Sequence, residues 1–401
     1  MKLYKKHISD LGKVITGKTP RTSILENYGG KIPFLTPSDN LSKKFSPTTS
    51  KALTKIGLNE VKNCLLPSKS ICVSCIGSDL GKVVLTKKPT VTNQQFNSIV
   101  PNEENDADFI YYLMTVVGKH LNYLSKTSTA VPIINKSTFA NYEIEIPNIK
   151  EQKRIGKILS SLDDKIELNR RINDNLEQQA QALFKSWFVD FEPFKKGKFI
   201  DSELGMIPEG WQVEELGNIT NSITEKVGKR TDIKVLSPVN TGDLLLSEEY
   251  FTKQVYSKNL AKYIMVAPND FAYNPARINI GSIGMNTFDF SGCVSPVYVV
   301  FRCEKEYHHF FNIFKATKNF KEEVNTRAIG GVRQTLSYKD FSLIKIVYPP
   351  KEAVEQFNKI YSHIMTLIKK NVLENKRLHQ TRDTLLPKLM SGELKINDIN
   401  N

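Results

Sequence analysis

No stretch of this chain approaches the roughly 20 consecutive apolar residues of a membrane-spanning helix, so a helical membrane protein is excluded. The opening residues, MKLYKKHISDL, are basic but lack the apolar run of a secretory signal. Cysteine is scarce: Cys64, Cys72, Cys75, Cys293 and Cys303 make an odd count of 5 in 401 residues. That excludes a disulfide framework and points to reduced thiols and a cytoplasmic setting. Cys72 and Cys75 form a lone CxxC with no second pair at zinc-ligand spacing, and the 6 histidines show no metal pattern. No metal site is therefore expected. Catalytic signatures are missing too. No glycine-rich loop stands between a strand and a helix, and the Asn/Asp-Pro-Pro-aromatic string with which amino-methyltransferases hold a flipped base is absent. Asn274-Pro275-Ala276-Arg277 only grazes it.

Positive charge, by contrast, is in surplus. Lys and Arg number 56 against 42 Asp and Glu, a net charge of +14. Such a balance favours a polyanionic partner, nucleic acid first. One string looks catalytic: Gly12 to Thr19, GKVITGKT, fits the phosphate-loop pattern. A phosphate loop must follow a buried strand and open a helix. Here no apolar strand precedes it, and Pro20 disfavours a helical conformation just where the helix should run. An ATPase is thus the weaker reading.

The chain is written twice. Residues 139–183 read onto residues 341–385 with one constant offset of 202 positions. Phe139 meets Phe341, Pro147 meets Pro349, Ile166 meets Ile368, Asn169 meets Asn371 and Asn173 meets Asn375. Each copy is a turn-rich, strand-rich stretch followed by a long helix. The first helix carries Leu162, Ile166, Asn169, Asn173, Leu176, Ala180, Leu183 and Trp187 at alternating spacings of fours and threes, a heptad seam. The second, from about Lys351, repeats it with Ile360, Ile364, Ile368, Asn371, Asn375, Leu378, Arg382, Leu385 and Leu389. About 38 helical residues at ~1.5 Å each span about 57 Å. Such a stripe needs another helix to cover it. Because one globular domain joins the first helix to the second, an antiparallel pair, which that domain caps at one pole, is favoured over a parallel one in which it would have to connect opposite ends of the rod.

The expected fold class is α+β: two similar mixed α/β domains, residues 1–147 and 207–349, separated by long antiparallel coiled-coil helices at 148–190 and 350–395, with a linker at 191–206. The register asparagines are Asn169, Asn173, Asn371 and Asn375, paired so that their numbers add to 544 (Asn169 with Asn375). The same register sets Trp187 by Phe357. It also sets Arg382 against Leu162, a mismatch unless the guanidinium snorkels outward. Asp163 and Asp164, early in the first helix, suit the helix dipole better than catalysis. A helix is predicted around residues 107–124, where apolar residues recur at helical spacing.

Candidate DNA-contacting residues follow from side-chain chemistry. Asn93, Gln94 and Gln95 offer amides for adenine edges; Arg277, Asn279, Arg327, Arg333 and Gln334 offer guanine- and adenine-type contacts. Lys18 and Arg21, with Lys226 and Arg230 in the second half, suit phosphates.

These pieces resemble the specificity subunit of Type I restriction–modification enzymes. The resemblance is carried by IPFLTPSDN, TNQQFNSIVP, IPNIKEQKRIGKILSSLDDKIELN, ALFKSWFVDFEPF, IPEGW, GGVRQTLSYKDF and LLPKLMSGEL, and covers nearly the whole chain. It implies two target-recognition domains, each reading half of a split sequence in double-stranded DNA. It further implies helices that dock two modification (methyltransferase) subunits, and restriction motor-nuclease subunits in the same complex. S-adenosylmethionine, ATP and Mg would then sit on those partners, and this chain would hold no cofactor and perform no catalysis. Half-sites one helical turn apart would leave an unread gap of under about ten base pairs. A freestanding DNA-binding regulator or structural DNA clamp is the alternative of another class.

Overall fold

The computed structural model describes residues 1–45, 48–77, 79–125, 133–251, 253–328 and 335–394. The chain divides into two compact units, one of Met1–Arg171 with Asn371–Asn401, the other of Ile172–Lys370.

In the first unit a four-stranded antiparallel sheet has the order Gly12–Thr16, Phe96–Pro101, Ile71–Ser74, Val83–Leu85. Its central strands are buried on both faces, which explains the near-continuous apolar run ICVS. The helix Ala107–Ser125 covers one face through Phe109, Ile110, Leu113, Met114 and Val117. A smaller sheet sets Lys51–Leu53, Tyr28–Leu35 and Val91–Thr92 side by side. A ribbon of Tyr4–His7 with Glu143–Ile146 leads into the long helix Ile149–Phe188.

The second unit repeats this plan. Its four-stranded sheet runs Thr220–Ile223, Val299–Cys303, Phe271–Tyr273, Ile283–Met285, the same order by rank. Its ribbon, Gln212–Glu215 with Lys345–Tyr348, leads into the helix Lys351–Ser391. Before each long helix stands a short one, Lys136–Ala140 or Tyr338–Ser342, 202 positions apart. The first is capped by Asn135 accepting from Thr138 N at 2.9 Å, the second by Ser337 accepting from Asp340 N at 3.2 Å. Each buries its phenylalanine completely, Phe139 in one and Phe341 in the other.

The halves are not copies throughout. Where the first unit has one continuous helix, the second has His308–Phe314 and Lys318–Arg327. Thr317 separates them, accepting from Phe320 N at 3.3 Å as the cap of the second piece. The strand-rich reading of residues 207–349 did not anticipate this pair.

The long helices hold 40 and 41 residues, about 60 Å each. Within each unit they run antiparallel. In the first, Asn169 Nδ2 donates to Asn375 Oδ1 at 3.0 Å and to Glu374 Oε2 at 2.8 Å. In the second, the Trp187 and Phe357 rings lie 6.4 Å apart, and Asn173 Nδ2 donates to the Ile368 carbonyl at 3.4 Å. Arg382 does not snorkel out. It ion-pairs with Asp163 at 2.6 Å. Asp163 therefore does not serve the helix dipole: it lies four turns inside the helix, where the macrodipole has faded, and it neutralises the arginine opposite.

The second unit packs its helices through rings. Phe184, Phe188 and Phe357 meet Phe310 and Trp211 in one cluster. His309 sits at its margin, with its ring 5.0 Å from Tyr361. Burial, with help from His308 and Lys369, pushes its imidazole down to about 3. An unfolded histidine titrates near ~6.5. Stability from neutral His309 is therefore complete above that value and is lost as pH falls from it toward the folded value. Moving from pH 7 to pH 5 should cost the second unit about 2 kcal/mol. Tryptophan-detected urea melts at both values test this, and His309→Phe should flatten the difference.

Candidate nucleic-acid interface

The string that imitates a phosphate loop is a strand. Gly12–Thr16 pairs along Asn97–Pro101 on the edge of the first sheet. Residues 17–21 leave it as a loop with Lys18 and Arg21 exposed and Gly17 and Pro20 buried, and no helix opens there. A Cβ on Gly17 would stand 2.1 Å from the Asn93 carbonyl oxygen, so glycine is needed to let this loop reach the turn at residues 92–96. Gly17 N donates to the Phe96 carbonyl and Lys18 N to the Thr92 carbonyl, at 3.1 and 2.9 Å.

The structure brings the first group of candidates together on these two turns. Lys18 is exposed. Asn93 and Gln95 are turned inward on each other: Asn93 Nδ2 donates to Gln95 Oε1 at 2.9 Å, and Gln95 N to Asn93 Oδ1 at 3.1 Å. Gln94, at the apex, is exposed and takes a hydrogen bond from Thr19 Oγ1 at 2.7 Å. Arg21 is engaged with Glu60 through Nε and Nη2 at 3.0 and 2.7 Å. That side-chain hydrogen bond holds the Glu60 carboxyl down at about 2 and so keeps it charged. The cationic character of the loop thus rests on Lys18 more than on Arg21. Burial pushes the nearby Cys64 thiol up, against the pull of Lys18 and Lys136. Replacing Lys18 with alanine should weaken DNA affinity severalfold without changing sequence preference, and should lower the salt slope by about one. Fluorescence anisotropy across a salt series measures it.

In the second unit, Lys226 is exposed and Arg230 is tied to Glu225 at 2.6 Å. A shallow hollow of about 610 Å³ beside them adds Lys229, the neighbour of Arg230, and Lys258 from a separate loop, neither of which the sequence singled out. Arg277 is exposed, Asn279 is half-buried and Arg327 pairs with Glu323 at 3.1 Å. Arg333 and Gln334 lie outside the described residues. Asn274 Oδ1 accepts from Ala276 N at 3.0 Å, so this asparagine closes its own turn.

A cleft of about 650 Å³ opens in the first unit between the helix Ala107–Ser125 and the long helices. Its floor is a charge network with no counterpart in the sequence reading. Lys44 Nζ, almost buried, donates to Asp108 Oδ1 at 2.6 Å and Ser160 Oγ at 2.7 Å. Tyr112 Oη donates to Asp163 Oδ2 at 2.5 Å, and Arg382 bridges Asp163 to Asp383. Burial opposes the Arg382 charge, but the two carboxylates outweigh it and hold the guanidinium protonated. No spacing rule could reveal this, since the partners come from four separate segments.

Among the described residues no group of His, Cys, Asp and Glu is arranged to hold a metal ion. Burial raises the Cys72 and Cys75 thiols to about 12 and about 11, so both are inert. No described helix is long and apolar enough to cross a membrane.

Two units of one strand order, each feeding a long helix and each presenting basic loops, define a nucleic-acid-binding class built by internal duplication. Residues 2–178 match the family model of the Type I restriction modification DNA specificity domain. The MjaIX specificity subunit of Methanocaldococcus jannaschii is 30% identical, over 98% of this chain and 94% of its own. The HindI specificity subunit of Haemophilus influenzae is 38% identical over 176 residues, 42% of this chain and 38% of its own. The crystal structure of a Type I restriction–modification S subunit from M. genitalium has the same fold, with a TM-score of 0.60 at 16% identity, covering 97% of this chain and 96% of that one. The chain belongs to the family of Type I restriction enzyme specificity subunits.

Proposed function

We propose that this chain is the non-catalytic DNA-reading subunit of a Type I restriction–modification complex. Residues 1–147 read one short block of duplex DNA and residues 207–349 read the other. The long helices dock two modification subunits, which supply S-adenosylmethionine and methylate adenine. Motor-nuclease subunits with ATP and Mg complete the complex. The observation that supports this best is the duplication itself: one strand order, one ribbon and one capped helix occur twice ahead of two long helices. A bipartite reader of a two-fold-related double helix needs such a pair. Exposed lysines on loops supply the sequence-independent attraction, and side chains on those loops supply the reading.

The test is to produce this chain with a modification subunit and map methylated adenines in the DNA they share. Two short specified blocks around an unread gap of under about ten base pairs are expected. A single continuous block, or methylation by this chain alone, would overturn the proposal. A freestanding regulator would bind its site equally well without the modification subunit, so DNA affinity with and without that subunit separates the two readings.

A further inference from the structure

Loops that reach solvent are ordinarily held at their ends. Residues 17–21 are held along their whole length. Besides the two backbone bonds to the facing turn, Tyr28 Oη donates to the Pro20 carbonyl at 2.8 Å. Asn27 Nδ2 donates to the Arg21 carbonyl at 3.0 Å, and Glu60 grips the Arg21 side chain and its backbone N. The facing turn is locked as well, because Asn93 and Gln95 spend their side chains on each other. Between these two fixed pieces stands Gln94, exposed, with its amide oxygen held by the Thr19 hydroxyl at 2.7 Å. Lys18, also exposed, is the neighbour of Thr19.

A glutamine on an ordinary surface rotates about three bonds, and that freedom is lost when it grips a base. Here the backbone on both sides is pinned and the amide plane is set by Thr19. The Nε2 donors lie on the side of the amide away from the Thr19 hydroxyl. Adenine and guanine both present an N7 acceptor in the major groove. Building on the DNA-reading function proposed above, we infer that Gln94 reads a purine in the block owned by the first unit, with Thr19 as the positioning residue that pre-sets its amide. Lys18 holds the adjacent phosphate. Asn93 and Gln95 are scaffold for Gln94 rather than readers, although the sequence offers all three as equivalent amides.

The test uses the full chain with its modification subunit, and methylated adenines are mapped for the wild type, Gln94→Ala, Gln94→Glu, Thr19→Val and Thr19→Ser. Gln94→Ala should reduce discrimination at one position of one block by about tenfold, leaving the rest of that block, the other block and the gap unchanged. Gln94→Glu, which replaces the donors with acceptors, should exclude purines at that same position. Thr19→Val should weaken the same preference partially, and Thr19→Ser, which keeps the hydroxyl, should restore it. A uniform fall in methylation with every position unchanged would overturn the inference and assign Gln94 to backbone contact. Unchanged specificity in Gln94→Ala, or an equal loss in Thr19→Val and Thr19→Ser, would overturn it too. If the wild type itself gave no bipartite pattern, the DNA-reading proposal would fall instead, so the two failures are distinguishable.

Discussion

Replacing Arg382 with alanine should destabilise the first unit by about 3 kcal/mol. The Asp163 side chain is only 10% exposed, and its partners are the Arg382 guanidinium at 2.6 Å and the Tyr112 hydroxyl at 2.5 Å. Without the guanidinium, a buried carboxylate keeps one neutral donor and no counter-charge. The Tyr112 hydroxyl cannot relieve it, since burial and the Asp163 charge hold that phenol firmly protonated. The cost should be recoverable. At the repeat-equivalent positions, 202 residues along, the second unit carries Met365 for Asp163 and Ala180 for Arg382, and both pack in its apolar cluster. Replacing a buried pair by well-packed apolar groups is often neutral, so Asp163→Met with Arg382→Ala should regain most of the loss. The chain supplies its own control. Trp187 and Trp211 both belong to the second unit, so tryptophan fluorescence follows that unit alone, whereas circular dichroism follows both. The circular dichroism transition should move to lower denaturant in Arg382→Ala while the fluorescence transition stays. A fluorescence shift of equal size, or a double variant as weak as the single one, contradicts the account.

Exchanging residues 207–349 for the same segment of a relative should replace one DNA block outright and leave the other intact. Discrimination for the original block should fall by about a thousandfold or more, because several base pairs at about 1–3 kcal/mol each are lost together. The exchange is demanding at one place. Phe310 and Trp211 pack against Phe184 and Phe188, which with Phe357 belong to the retained helices. An incoming segment without an aromatic residue at position 310 would open a cavity there, at about 3 kcal/mol or more. Methylation mapping reads the outcome; a change in both blocks contradicts independent domains.

Much of this protein is legible in its sequence. The 202-position offset, the heptad seams and the Asn169–Asn375 pairing all follow from periodicity, because a helix returns the same face every three and four residues. The phosphate loop is rejected on context, since no apolar strand precedes it and Pro20 disfavours a helix there; that residues 12–16 form a strand is seen only in the fold. The broken helix at residues 308–327 escaped notice because its two pieces are each too short to show a period.

What the sequence by itself determined is therefore the duplication, the antiparallel register of the helices and the polyanion-binding balance of charge, all of them properties carried by order and composition along one dimension. The folded structure decided which polar side chains are free. Arg21, Arg230 and Arg327 are tied to Glu60, Glu225 and Glu323, Asn93 and Gln95 to each other, and Arg382 to Asp163. Lys18 and Gln94 are left exposed. A side chain's availability depends on what lies within about 3 Å of it; for Arg21 and Arg382 that partner comes from a segment far away in the chain, whereas Arg230, Arg327 and Asn93 are held by residues within five positions of them.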